Sequence, residues 1–238
     1  MNDTKLPIKL LWTGGWDSTY RLLELILVHK EAVQPYYIIS TAGRRTTNIE
    51  LQAMEKIRAL IYSRQPGSEN LLLPTIYKDV SKIKPNEAIT EEYNRLTAVK
   101  ALGSQYEFLA RFAEEEGITG LELSVEKYRN KPTYEFGKTN MFKYFSFPLI
   151  TTTKLEMQEA AKKHGFLDIM DETFFCHTPI NGKPCGCCNP CRIALEEGLG
   201  RRLPFERRLK FHLKRLPLVK QIINLVKPAN KKKTTTYT

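Results

Sequence analysis

A parallel β-sheet covered by helices on both faces, followed by a small cysteine-rich segment and a basic helical tail, is the architecture this sequence predicts. Three observations predict it. Short apolar runs of strand length alternate with longer periodic segments of helix length, the pattern of parallel strands joined by crossover helices. All five cysteines fall between Cys176 and Cys191. From Gly198 onward there are twelve Lys and Arg against a single Glu206, which accounts for the whole net charge of +11 and leaves residues 1–197 neutral. The expected division is 1–170 for the α/β domain, 171–200 for the cysteine segment and 201–238 for the tail.

The bulk composition, 42% hydrophobic and 26% charged, is that of a globular protein with a sizeable core. Met1–Pro7 is short and polar, unlike a signal peptide, and no run of 18 apolar residues follows. The expectation is a cytoplasmic protein without a transmembrane segment. In that setting clustered cysteines argue for a metal site over a disulfide framework.

The elements follow in order. Ile8–Trp12 reads as a short buried strand, and Ser18–Lys30 as a helix whose run LLELILV is too apolar all round for a surface position. Tyr36–Ser40, rich in β-branched and aromatic residues, is the second strand. Asn48–Tyr62 has helical spacing at Ile49, Ala53, Ile57 and Leu60. LLLPTIY (71–77) gives a third strand, interrupted or ended by Pro74. Pro85–Leu102 is helical or mixed, Gln105–Glu116 is an amphipathic helix, and GITGLELSV (117–125) is the next strand. Pro148–Ile150 is a candidate to close the sheet. The helix after it starts at a capping box, Thr153 with Glu156, and stops at Gly165. There is no internal repeat, and only the end, KKKTTTYT, reads as disordered.

Between the first strand and its helix lies TGGWDST (13–19). In a parallel sheet, ligands sit beyond the carboxyl ends of the strands. A Gly-Gly turn into a helix there offers backbone N–H groups and a helix N-terminus to an anion. Ser18 and Thr19 add hydroxyls. Asp17 would repel a phosphate directly, so it suits either the loop's own N–H groups or a Mg²⁺ bridging the phosphates. The plainer alternative is a tight strand–helix turn with Asp or Ser as N-cap. The spacing is neither the GxGxxG of dinucleotide folds nor the GK[ST] of Walker loops.

The cysteines read C-x₈-C-x₂-C-x₂-C over Cys176, Cys185, Cys188 and Cys191, a set suited to tetrahedral Zn²⁺. Cys187 falls outside the spacing, and His177 is a possible substitute ligand. A redox C-x-x-C would have no use for Cys176 or Cys185.

TGGWDST resembles the SGGxDS PP-loop of ATP-pyrophosphatase-type enzymes, with Thr13 in place of the leading Ser. PLITTTKLEMQEAAKKHG (148–165), ETFFC (172–176) and PCGCCNPCR (184–192) are similar to the C-terminal part of the 7-cyano-7-deazaguanine synthases within that superfamily. AGRRTTNIE (42–50) resembles their loop after the second strand: Arg44 matches, but Arg45 stands where His is usual and Asn48 where Glu is usual. The likeness spans roughly residues 8–192 and is specific at its two ends. In the middle, LGSQ (102–105) replaces PGRN, and LELSVEKYRNKP replaces the glycine-led strand end that helps hold the deazapurine.

The resemblance implies a PP-loop fold of the adenine-nucleotide alpha-hydrolase type, with ATP, Mg²⁺ and Zn²⁺ as cofactors. It implies a ligase that activates a carboxylate for attack by ammonia, with 7-carboxy-7-deazaguanine taken to 7-cyano-7-deazaguanine as the specific expectation. The candidate nucleotide-contacting positions are Trp12, Thr13, Gly14, Gly15, Trp16, Asp17, Ser18, Thr19 and Tyr20. The candidate zinc ligands are Cys176, Cys185, Cys188 and Cys191, in a structural role, since four thiolates fill the coordination. No catalytic side chain is assigned. Lys154 is either a phosphate contact or a solvated lysine of a first helical turn.

In the tail, Phe205, Leu209, Leu213 and Leu216 stand at helical spacing among cations, Pro217 breaks the run, and LVKQIINLVK follows. It reads either as two helices packed on the domain or as a basic arm for nucleic acid, an acidic protein or a membrane surface. The sequence therefore leaves three readings: a synthase acting on a small deazapurine, possible as a homodimer; a related enzyme modifying a macromolecule held by its tail; and a non-catalytic nucleotide-binding scaffold.

Overall fold

The computed structural model describes residues 6–39, 46–99, 102–127 and 139–213. Arg44, Arg45, the segment 128–138 and the second tail segment lie outside the described residues. Within them the chain forms a five-stranded, all-parallel sheet in the order β3-β2-β1-β4-β5. The strands are β1 (Ile8–Leu11), β2 (Val33–Ile39), β3 (Ile76–Asp79), β4 (Leu121–Glu122) and β5 (Phe145–Ser146). β1 runs beside β2 from Ile8↔Val33 to Leu11↔Tyr36, and on its other side Leu10 pairs with Glu122. The order reverses direction at β1, so the crevice between the ends of β1 and β4 is the switch point at which doubly wound sheets bind ligands.

The helices are α1 (Trp16–Leu23), α2 (Thr47–Arg64), α3 (Glu87–Val99), α4 (Gln105–Glu115), α5 (Lys154–Lys163), α6 (Leu167–Asp171), α7 (Asn189–Glu196) and α8 (Phe205–Leu213). Strand side chains alternate between faces, and the alternation separates two cores. Leu10, Trp12, Val33 and Tyr37 pack with residues of α1, α2, α5 and α6. Tyr36, Ile38, Leu121 and Leu123 pack with α4 and with Ile83, Ile89 and Phe142. The cysteine segment shares the first of these cores, since Cys176, Cys185, Cys191, Ala194 and Leu203 belong to the same buried cluster as Leu10.

Local differences from the sequence expectation have local causes. The first helix starts two residues early, at Trp16, and its apolar end Glu24–His29 is a wide π-helical turn that closes at Lys30, with φ at +57°. Leu22, Leu23, Leu25 and Ile26 are buried there, as that apolar run required. The third strand forms after Pro74, because proline has no N–H for the ladder; only Leu72 bridges to Val33 before it. The sheet closes at Phe145–Ser146, not at Pro148–Ile150, which is a turn. The capping box is formed as expected: Thr153 Oγ1 accepts from the Glu156 N–H, and Glu156 accepts from the Thr153 N–H. No described helix is long and apolar enough to cross a membrane.

Candidate functional site

β1 delivers the glycine turn to the carboxyl edge of the sheet. The Trp12 N–H still donates to Tyr36 O (2.9 Å), after which the chain leaves the sheet. Gly14 takes φ +68°, and a Cβ there would stand 3.0 Å from Met54 Cγ and 3.1 Å from Glu50 O on α2. Both the backbone conformation and the space demand glycine. Gly15 is the N-cap of α1 in extended conformation and offers no side-chain cap, so the N–H groups of the first turn face outward without a capping side chain. The Phe174 N–H donates to Gly14 O (2.9 Å), tying the turn to the segment that leads to Cys176.

The candidate nucleotide-contacting residues divide by direction. Trp12, Thr19 and Tyr20 are buried in the core. The Trp12 indole donates to Thr19 Oγ1 (3.0 Å) and the Tyr20 hydroxyl to Glu24 (3.0 Å). The Ser18 hydroxyl folds back under the turn, 3.3 Å from the Thr13 N–H nitrogen and 3.4 Å from Thr13 Oγ1. Thr13, Gly15 and Asp17 front open space, and the buried Trp16 adds to the wall on one side.

That space is two cavities, one on each side of the turn, with Thr13, Gly15 and Asp17 in the wall of both. One, of about 240 Å³, lies between the turn, Lys154, Phe175, His177, the first turns of α7 and Arg202. The other, of about 180 Å³, occupies the switch point and is walled by Leu11, Ser18, Gln105, Tyr106, Leu123 and Ser124.

Lys154 is not a solvated lysine. As the first residue of α5 its side chain is 14% exposed, and three carboxylates surround its ammonium. Glu126 is in direct contact, Glu197 Oε2 is at 3.5 Å and Asp17 Oδ1 at 3.6 Å. They come from the segment that follows β4, from the end of α7 and from the first turn of α1. The Lys127 N–H to Thr152 O bond (3.0 Å) holds Glu126 against the start of α5. Burial raises the Asp17 pKa above its ordinary value, against the pull of Lys154 and Arg202. Asp17 Oδ1 and Glu126 Oε2 are buried without a hydrogen bond. Asp17 stands in the wall of both cavities.

Arg202 completes the wall. Its guanidinium lies between Trp16 and Phe175, 4.5 Å from each ring centroid, a cation–π sandwich. Its Nη2 donates to Thr173 O (2.7 Å) and to the Thr173 hydroxyl. Burial lowers its pKa to about 10, opposed by Asp171. The C-terminal segment thus places a cation beside the glycine turn.

The sulfurs of Cys176, Cys185, Cys188 and Cys191 all lie within 4.8 Å of one another. Zn–S bonds of about 2.3 Å in a tetrahedron set sulfurs about 3.8 Å apart; Cys176–Cys188 is 3.8 Å and Cys185–Cys191 3.9 Å. Cys188 is the N-cap of α7 and Cys191 lies in its first turn, with Pro190 between, so the C-x₂-C step turns both sulfurs to one side. The donors around the sulfurs also suit thiolates. Cys185 Sγ accepts from Thr178 Oγ1 (3.3 Å) and the Cys188 N–H (3.3 Å), and Cys176 Sγ from the Cys185 N–H (3.2 Å). Burial raises the Cys185 thiol, but the Thr178 and backbone hydrogen bonds outweigh it and bring its pKa to about 5. Burial pushes Cys176 up to about 11 and raises Cys191 as well. These four cysteines can hold one metal ion, and the donor set is compatible with zinc. Cys187 is exposed and its Sγ lies 3.4 Å from Cys185 Sγ, but it falls outside the set of four mutually close sulfurs, and His177 lines the larger cavity.

Sequence reasoning left three site residues unassigned. Glu126 lay just past the strand read over 117–125, Glu197 lay in the cysteine segment without a role, and Arg202 was counted among the tail cations. The one signal available was that Glu197 and Arg202 closely follow the last cysteine, on a segment that the metal would fix. No family model and no curated protein matches this chain.

Proposed function

We propose that the chain is an ATP-dependent enzyme that activates a carboxylate, by adenylation or phosphorylation, for attack by ammonia or an amine. The observation that carries this reading is the meeting of three features at the carboxyl end of β1: the Gly14–Gly15 turn, an uncapped helix N-terminus, and the Asp17–Lys154 pair. Outward N–H groups and an ammonium suit phosphate oxygens. Asp17 suits Mg²⁺ held between it and those oxygens. Neither cavity alone has room for a nucleoside triphosphate and an acceptor, so the phosphates would cross the turn from one to the other. The switch-point cavity, with Tyr106 and Leu123, suits the nucleoside. The larger one, with the Arg202 guanidinium in its wall for a carboxylate, suits the acceptor.

A carboxylate is a poor electrophile until one oxygen becomes a leaving group, and ATP supplies that group. Charge then gathers on the departing phosphate, where the turn's N–H groups stabilise it. Among planar carboxylates, the resemblance of the two ends of the sequence selects 7-carboxy-7-deazaguanine, taken on to the nitrile. The metal, which we take to be Zn²⁺, holds the segment carrying Phe175, Glu197 and Arg202 against the turn. A second reading keeps the activation chemistry but gives it a macromolecular acceptor; the exposed apolar and cationic surface of α8 favours it.

The test is mass spectrometry after incubation with Mg-ATP, ammonia and 7-carboxy-7-deazaguanine, with Asp17→Ala as control. A nitrile that disappears in the control is the expected result. AMP or ADP release without nitrile, abolished by Asp17→Ala, would move the acceptor to a macromolecule. No product and no ATP turnover from the metal-loaded protein would overturn the enzymatic reading in favour of a nucleotide-binding scaffold.

A further inference from the structure

The last described helix, α8, is attached by one face and bare on the other. Arg207 packs on Gly186, where an added Cβ would stand 2.7 Å from Arg207 Cβ, and Phe211 packs against the main core. Gly186 lies between two zinc-ligand candidates with φ +74°, so the helix is seated directly on the cysteine centre. On the opposite face Phe205, Leu209 and Leu213 follow one another at four-residue steps and are 68%, 46% and 45% exposed. At 3.6 residues per turn these three form one stripe. Arg208 flanks it on one side, with its guanidinium 5.6 Å above the Phe205 ring, and Lys210 flanks it on the other. Arg192, Arg207 and Lys210 also converge on a cavity of about 220 Å³ beside the helix.

We propose that α8 docks the protein on an anionic lipid surface. Two properties select this occupant. The first is charge: from Phe205, where α8 begins, to Thr238 there are ten Lys and Arg against one acid, Glu206. Covering the stripe with the chain's own remaining residues or with a second copy would bring like charges together. The second is the continuation of the pattern. Beyond Pro217, Leu218, Val219, Ile222 and Ile223 again alternate with Lys220 and Lys227. RNA supplies phosphates but has no use for a leucine stripe. An exposed aromatic and leucine face bordered by Lys and Arg is the composition of helices that lie in a bilayer interface. Because α8 sits on the cysteine centre, the surface would meet the protein beside the metal site.

The experiment is sedimentation of the full chain with phosphatidylcholine vesicles containing or lacking phosphatidylserine. Leu209→Gln with Leu213→Gln removes apolar surface without changing charge, and Arg208→Gln with Lys210→Gln removes charge without changing the stripe. All four positions are exposed or half-buried, and unchanged metal content and circular dichroism verify folding. The expected result is binding to the anionic vesicles alone. It weakens about tenfold in the leucine pair and about fivefold for each cation removed. No binding to anionic vesicles overturns the proposal, and so does binding that the leucine pair leaves unchanged. Preferential binding of a single-stranded RNA or an acidic protein, insensitive to the leucine pair, overturns it and assigns the arm to that partner. Every one of these readouts is independent of ATP turnover.

Discussion

The cysteine centre and the Lys154 cluster both gather four polar side chains around one point, but they are built in opposite ways. Cys176, Cys185, Cys188 and Cys191 lie within sixteen consecutive residues, carry the same chemistry, and are brought together by a loop and the first turn of α7. Lys154, Asp17, Glu126 and Glu197 come from four separate parts of the chain and carry opposite charges. The first needs only a short loop and one helical turn to bring together four sulfurs that could hold a metal. The second needs the whole sheet to be in place, because the first turn of α1, the segment after β4, the start of α5 and the end of α7 each contribute one member. A local constellation announces itself by spacing; a dispersed one leaves no mark in the sequence.

The largest test of that contrast is metal removal. Structural zinc contributes about 10–16 kcal/mol in domains too small to fold without it. Here Cys176, Cys185 and Cys191 also belong to the main core, so chelation is expected to cost several kcal/mol and to loosen residues 171–213 first. Calorimetric melting with and without chelator, beside metal analysis of the purified chain, measures it. A melting curve indifferent to chelator in a metal-free protein would break the comparison, leaving the cysteines as ordinary core.

Next in size is Lys154→Met. It fills similar volume but leaves three carboxylates without their ammonium, and removing one partner of a buried ion pair costs about 3–5 kcal/mol. Denaturant unfolding at neutral pH should report that loss, and it should shrink as pH falls and the carboxylates take up protons. A loss below about 1 kcal/mol would mean that the cluster is solvated like a surface ion pair.

The smallest effect sharpens the role of Asp17. Its folded pKa is raised above the ordinary 3.8, chiefly by burial. The folded state therefore binds more protons than the unfolded state between 3.8 and the raised value, and stability falls as pH rises through that window. Asp17→Asn escapes this loss. The variant should match the parent at acid pH, become modestly more stable above the window, and lose Mg-dependent nucleotide binding throughout. Equal stability of the two proteins at neutral pH would show that Lys154 and Arg202 already offset the burial of the carboxylate.

Legibility followed the same division. The strand–turn–helix at Gly14–Gly15 was readable because only glycine tolerates φ +68° against Met54. The capping box at Thr153 and Glu156 was readable because its hydrogen bonds span three residues. β4 and β5 shrank to two residues each, and the sheet closed at Phe145 instead of Pro148, since pairing length depends on neighbours far away in sequence. Lys154 was ambiguous because a lysine in a first helical turn looks the same whether it faces water or Glu126. Arg202 was read as one more tail cation, and nothing nearby indicated Trp16 and Phe175 as its partners.

The sequence by itself therefore determined the alternation of strands and helices, the glycine turn, the four-cysteine spacing and the segregation of positive charge into the tail. Each of these is set by backbone sterics, hydrophobic period or contacts within a few residues. Only the tertiary structure decided that the turn stands at the switch point between β1 and β4, that Lys154 is ringed by three carboxylates, that Arg202 lies between two aromatic rings, and that α8 keeps its leucine stripe exposed. Those outcomes depend on which distant side chains share a low-dielectric space, and burial and charge act through that space without regard to position along the chain.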